Sequence, residues 1–280
     1  MEFRTKIDIP VSVKKIQPCE RMLFVGSCFA DNIGKRFREE KFRAVVNPYG
    51  VMYNPVSVLH TVEKYIASTD VMPTTTVITL GTNHVYREIA TGEIVDNCQK
   101  RPQNLFQEEI LSVDECYSCL KQAIDILLPC PERGKGRAKG SGKGAVILTV
   151  SPIRYRKYGY HESQLSKAAL LLAADRLVKE YPGLVSYFPA YEIVNDELRD
   201  YRFYQPDMLH PSQQAVDYIY ERFAETYFSD ETNKFLSAWR PLKEALGHRP
   251  FNPESAEYKA FLAATMKKVE ALKQQYPEME

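Results

Sequence analysis

The strongest constraint on this chain lies between residues 22 and 37. Met22-Leu23-Phe24-Val25 is an unbroken apolar run of strand length, as expected for a strand buried on both faces. Phe29, Ile33 and Phe37 then recur at the four-residue spacing of one helix face. Only Gly26-Ser27-Cys28 lies between them, so a tight turn carrying a glycine, a hydroxyl and a thiol joins strand to helix. Such a turn sets a nucleophile at a strand end and over a helix start. There the free backbone N–H groups and the helix dipole favour negative charge.

The same alternation continues. Residues 43–46, 75–80, 145–150 and 185–188 read as strands, and 55–67, 113–128, 163–180 and 212–227 as helices. The helix over 163–180 is expected to bury Leu165, Ala168, Ala169, Leu172 and Leu177. Residues 85–111 look polar and irregular, with a hairpin near Thr91-Gly92-Glu93, and 189–211 look partly irregular. Residues 133–144, rich in Gly, Lys and Arg, read as a flexible loop; no phosphate-binding G-x-x-x-x-G-K-[ST] pattern fits. Strands joined through single helices imply a three-layer α/β/α fold with a roughly five-stranded, mainly parallel sheet. This domain is expected over residues 1–228. Two further helices, about 231–246 and 254–275, form a C-terminal helical extension, 229–280. A parallel sheet of this kind places its site outside the carboxyl ends of the strands. The groups there are Ser27, Cys28, Gly50, Asn83, His84 and Ser151, and they are expected to converge.

Composition removes several function classes. With 280 residues, 44% hydrophobic and 26% charged, the chain has the makings of an ordinary globular core. A formal net charge of +1 offers no electrostatic case for nucleic acid or an anionic membrane. No stretch has the apolar length to span a bilayer, and the first residues lack the apolar core of a signal peptide. A cytoplasmic protein is therefore expected. In such a protein the cysteines at 19, 28, 98, 116, 119 and 130 are not expected to form a disulfide framework. Cys116 and Cys119 share a helix, and no second pair completes a zinc site. No metal or organic cofactor is expected.

The late segment Asp207-Met208-Leu209-His210-Pro211-Ser212 supplies a candidate base. An Asp three residues before a His, at a loop-to-helix junction, can hold one imidazole nitrogen and leave the other for a nucleophile. Here the sequence resembles a known family. Gly26-Ser27-Cys28-Phe29-Ala30 spells the signature of the GSCFA domain family, which is similar to the SGNH (GDSL-type) hydrolases. Gly50 resembles the second-block glycine of those enzymes, and Gly81-Thr82-Asn83-His84 the third-block Gly-x-Asn-Asp, with His84 replacing the Asp. Asp207 to His210 resembles the final Asp-x-x-His block.

The resemblance implies a covalent acyl-enzyme. His210 is then base and acid, Asp207 its orienting group, and the nucleophile's N–H, the Gly50 N–H and the Asn83 amide form the oxyanion hole. In the family pattern the nucleophile is second after the glycine. In that register Cys28 attacks, Ser27 caps the helix and the thiol should have a depressed pKa. A shift of one residue makes Ser27 the nucleophile and Cys28 a small buried apolar group. His84, His161 and Arg154 are possible substrate contacts, and His60 and His248 look structural or exposed.

The implied activity is that of an esterase or acyltransferase acting on a small-molecule ester, an acylated carbohydrate among the candidates. A second reading is a catalytically weak or inactive binding or scaffold protein that keeps the fold. The changes of Gly-Asp-Ser to Gly-Ser-Cys and of Asn-Asp to Asn-His motivate it.

Overall fold

The computed structural model describes residues 4–98, 101–128 and 144–279. Five parallel strands form the central sheet in the order β2-β1-β3-β7-β8. They are β1 (Arg21–Gly26), β2 (Arg43–Val46), β3 (Thr75–Leu80), β7 (Ala145–Val150) and β8 (Val185–Tyr187). Alternate side chains of each strand point to opposite faces, and both faces are covered. Met22, Phe24, Val77 and Ile147 enter one core with α1 (Cys28–Glu39) and α6 (Gln213–Tyr227). Leu23, Val25, Ile78, Leu80, Val146 and Leu148 enter the other, under α2 (Pro55–Ser68), α3 (Val113–Leu127) and α4 (Tyr160–Glu180). This double burial is why the strands are runs of apolar and β-branched residues.

Phe37 centres the first core. Its ring lies 5.0 Å from Phe24, 4.9 Å from Phe42 and 5.6 Å from both Tyr220 and Phe223, and so ties α1 to the sheet and to α6. Helices α7 (Asp230–Gly247) and α8 (Ala256–Gln275) add to this side. Trp239 donates its indole N–H to the Glu39 carbonyl at 2.9 Å, closing the C-terminal turn of α1.

Two expectations need correction, and that of a partly irregular 189–211 is met. Residues 85–111 are not irregular: β4 (His84–Glu88), β5 (Ile94–Val95) and β6 (Phe106–Ile110) form an antiparallel sheet in the order β5-β4-β6. Its strands are polar because it is only partly buried, and pairs such as Arg87 with Glu109 hold it across strands. Within 189–211, a short α5 (Ala190–Glu192) runs on into a π-helical turn, Ile193–Leu198, that buries Ile193, Val194 and Leu198.

The second correction concerns α4. It begins at Tyr160 and buries Ser163, Ser166, Lys167, Leu170, Ala173, Ala174 and Leu177, whereas Leu165 and Leu172 are exposed. The helix is rotated from the face its leucines suggested, and a lysine lies on the buried side. Most of the expected loop at 133–144 lies outside the described residues. Cys116 is buried on α3 with its thiol pushed up to about 12 by desolvation, as suits a packing residue.

Gly26 is the residue on which the first turn depends. It has φ +137°, and a Cβ there would lie 2.0 Å from the Thr79 carbonyl oxygen of the neighbouring strand. Gly26→Ala should therefore destabilise the protein by about 2 kcal/mol or more. Urea unfolding measures this, and an unchanged midpoint would contradict the close approach.

Candidate active site

The elbow is built from three strand ends. Gly26 pairs in register with Thr79. The Ser27 N–H donates to the Thr79 carbonyl at 3.0 Å and to Thr79 Oγ1 at 2.9 Å. From the β2 end, Asn47 completes the bracket in the left-handed conformation, φ 40°. Its Oδ1 accepts from Gly26 N–H at 2.9 Å, and its Nδ2 donates to Asp31 Oδ1 at 2.7 Å. Sequence reasoning saw Asn47 only as the start of an Asn-Pro turn; its side-chain role depends on β2 lying beside β1.

The observed register makes Ser27 the N-cap of α1 and Cys28 its first residue. Ser27 is 1% exposed, and its Oγ accepts from Phe29 N–H and lies 3.0 Å from Thr79 Oγ1. Cys28 is half-buried, and the backbone N–H groups at the start of α1 favour its charged form. These donors and Lys167 favour the thiolate. Desolvation is larger, reinforced by Asp31, and the thiol pKa is raised. The expected depression is thus corrected: the helix start is too well covered for its dipole to win.

The Asp207–His210 pair is present as a preformed unit. Asp207 Oδ1 accepts from the backbone N–H groups of His210 at 3.0 Å and Leu209 at 2.9 Å, and Oδ2 lies 2.6 Å from His210 Nδ1. The backbone N–H of His210, that of Leu209 and then the imidazole hold the carboxyl down to about 2. A depressed carboxyl pKa keeps the group ionised above that pH, so this geometry persists through neutrality and is lost only in strong acid. Arg154 anchors the loop, donating its N–H to Leu209 O at 3.1 Å and Nη1 to Met208 O at 3.1 Å. Both side chains of the pair remain accessible. Among the described residues, no hydrogen bond joins His210 to Cys28 or Ser27.

The two further oxyanion donors are engaged elsewhere. The Gly50 N–H closes a turn on the Asn47 carbonyl at 2.9 Å, in an exposed segment. The Asn83 amide nitrogen donates to Leu111 O at 2.7 Å, and its backbone N–H to Ser166 Oγ at 3.0 Å. Asn83 is drawn to the β4–β6 sheet because that sheet starts immediately after it, which its sequence block did not reveal.

His84 is buried, bonded through Nδ1 to Glu108 at 2.7 Å and stacked on Tyr158 at 3.7 Å. It lines a cavity of about 590 Å³ with Tyr53, Tyr86, Phe106, Tyr155 and Tyr158. Tyr53 and Tyr155 meet edge to face at 6.1 Å, and Met52, beside Tyr53, donates its N–H to the Gly26 carbonyl at 2.8 Å, so the cavity adjoins the elbow. His161 is exposed in the first turn of α4. His60 is half-exposed and bonded to Asp96 at 2.7 Å. Among the described residues, no group of three or more His, Cys, Asp or Glu side chains is arranged to hold a metal ion.

Two outcomes follow from the elbow. Ser27→Ala should cost about 1 kcal/mol through loss of the helix cap, measured by urea unfolding, while leaving Cys28 open to alkylation. In the unaltered protein, iodoacetamide should label Cys28 more slowly at pH 7 than a free cysteine and faster as pH rises, because a raised thiol pKa leaves less thiolate.

Comparison with solved structures finds folds of similar layout at low identity. A lipolytic protein of the G-D-S-L family from Veillonella parvula has 12% identity, 74% of this chain and 97% of that one covered, and a TM-score of 0.46. A GDSL-like lipase from Bacteroides thetaiotaomicron has 13% identity, coverage of 74% and 86%, and a TM-score of 0.45. A catalytic mutant of an acetylxylan esterase from Geobacillus stearothermophilus has 13% identity, coverage of 77% and 97%, and a TM-score of 0.43. No curated protein matches. Among the described residues, no helix is long and apolar enough to cross a membrane. The GSCFA family model matches residues 21–75 and 72–223, and that of the GSCFA domain protein C-terminal domain matches 239–280. With the signature turn, the Asp-x-x-His segment and α8 all inside the matched regions, the chain belongs to the GSCFA family.

Proposed function

We propose that this protein is an SGNH-type esterase or acyltransferase that works through an acyl-enzyme on Cys28. The observation that carries the reading is the division of labour at the elbow. Ser27 is buried and committed to capping, whereas Cys28 is accessible, heads α1 and lies under its free N–H groups. Deprotonated Cys28 Sγ attacks the acyl carbonyl, and the Cys28 N–H supports the oxyanion. His210 takes the thiol proton and returns it to the departing alcohol oxygen, leaving a thioester. Water or an acceptor hydroxyl then attacks the thioester and gives its proton to His210, which passes it to the departing Cys28 sulfur as the acid or the new ester is released. Asp207 keeps His210 Nδ1 engaged, so Nε2 carries the proton transfers. A hydrogen bond to the nucleophile commonly tightens only when substrate is bound.

The aromatic cavity supports a small, ring-bearing substrate. Tyr53, Tyr155 and Tyr158 offer ring faces and Glu108 and Lys157 polar partners, which suits an acylated carbohydrate. A free thiol nucleophile suits a reducing compartment such as the cytoplasm. One observation favours the second reading, a weakly active or inactive binding protein: the thiol is raised in pKa and has no hydrogen bond to His210.

Hydrolysis of p-nitrophenyl acetate separates the two. Cys28→Ala should abolish turnover, and His210→Ala should reduce kcat/KM by about 10²–10⁴-fold. Ser27→Ala should retain most activity once its lower stability is allowed for. Equal turnover by wild type, Cys28→Ala and His210→Ala would reject the catalytic site.

A further inference from the structure

Away from the elbow, the structure gathers positive charge at the amino end of the sheet. Arg21 and Arg43 are the first residues of β1 and β2, and the parallel register sets them directly opposite each other. Paired residues of neighbouring strands share a face, and like charges so placed destabilise the pairing. Arg38, in the last turn of α1, donates Nε to the Ala44 carbonyl at 2.9 Å, next to Arg43. Lys41, in the turn between α1 and β2, stands 5.2 Å over the Trp239 ring. All four side chains line one cavity of about 500 Å³, with Phe42 and Tyr65 among its walls. Among the described residues, no carboxylate lines it.

The surrounding acids leave this charge in place. Glu39 pairs with Lys243 and Glu40 with Arg240, both on α7, and Glu20 accepts from Gln17, Thr74 and Thr75. Glu278, near the C-terminus, pairs with Arg43. Among the described residues, Arg21, Arg38 and Lys41 have no carboxylate partner. The dipole of α1 accounts for a cation in its last turn, such as Arg38. It does not account for two arginines paired at the starts of β1 and β2.

We propose that this cavity is a binding site for a phosphate-bearing small molecule, a phosphate monoester or a diphosphate. Its cations arrive from two strand starts, a helix end and a turn. A tetrahedral phosphate turns oxygens toward several such directions, whereas a planar carboxylate is satisfied by one guanidinium fork. Arg38 and Arg43 are each held through Nε, on the Ala44 carbonyl and on the Cys19 carbonyl at 2.7 Å, so little side-chain freedom is lost on binding. Walls of one sign also focus the field inside a cleft. An added peptide strand fits less well. β2 is the sheet edge, but its Ala44 N–H is taken by the Phe42 carbonyl at 2.8 Å and its Ala44 carbonyl by Arg38. The cavity lies at the opposite end of β1 from Cys28, so the inference stands apart from the acyl-transfer reading.

Calorimetric titration of the full chain with orthophosphate and pyrophosphate in low salt tests this. Both should bind, pyrophosphate more tightly, and added salt should weaken them. Arg21→Gln and Lys41→Gln should each weaken pyrophosphate about tenfold, and Arg21→Lys, which keeps the charge but loses the fork, by less. Arg21→Gln also removes the repulsion of Arg43. In phosphate-free buffer it should therefore raise the melting temperature by about 1–3 °C, while pyrophosphate stabilises wild type far more than the variant. No binding by wild type overturns the proposal, as does equal affinity in the Arg21→Gln/Lys41→Gln double variant. Acetate binding as tightly as orthophosphate rejects the phosphate class. Association only with vesicles of equal parts phosphatidylcholine and phosphatidylglycerol, with no free phosphate bound, also overturns the small-molecule site. No readout uses Cys28 or turnover, so either reading can fail without the other.

Discussion

The architecture of the site depends on the approach of Gly26 to Thr79. Parallel strands bring the two backbones together in register, and the chain must then turn at once into α1. The turn needs a positive φ and no Cβ, and Gly26 satisfies both. Ser27 can then place its N–H on Thr79 and its hydroxyl over the helix start, and Cys28 follows as the first helical residue. The position of Cys28 is thus a consequence of sheet pairing. Asn47 supports it from β2, so the elbow is braced by the strand on either side of β1.

Burial shapes the chemistry at that point more than the helix dipole does. A helix N-terminus alone lowers a thiol pKa, but burial of Cys28 costs the thiolate more than the N–H groups return. Burial likewise obliges a lysine on α4 to find carbonyl partners, which Gly81 and Ser151 supply just past β3 and β7. Arg154 plays the matching part on the other side, holding the backbone of the loop that presents Asp207 and His210.

Much of the fold was legible in the residues. Runs of apolar and β-branched residues at 22–25, 75–80 and 145–150 point to burial on both faces, so a covered parallel sheet follows from them. The elbow and the Asp207–His210 pair were legible because each is local: a glycine and a helix face within a dozen residues, and a carboxylate three residues from an imidazole. The β5-β4-β6 sheet was not, since its polar strands are held by cross-strand pairs such as Arg87 with Glu109 that lie over twenty positions apart. Gly50 and Asn83 matched their blocks as letters, but their hydrogen bonds are decided by Asn47 and Leu111.

By itself the sequence determined a doubly covered α/β sheet, a strand-to-helix turn with Ser27 and Cys28 at its tip, and a late acid–base pair. Those features are set by spacing and by the conformational needs of single residues. Only the tertiary structure decided that Ser27 caps while Cys28 is open, that the thiol is raised in pKa, and that α4 turns Lys167 inward. Each of these depends on desolvation and on partners from distant strands, and the energy of a buried charge is set by what surrounds it.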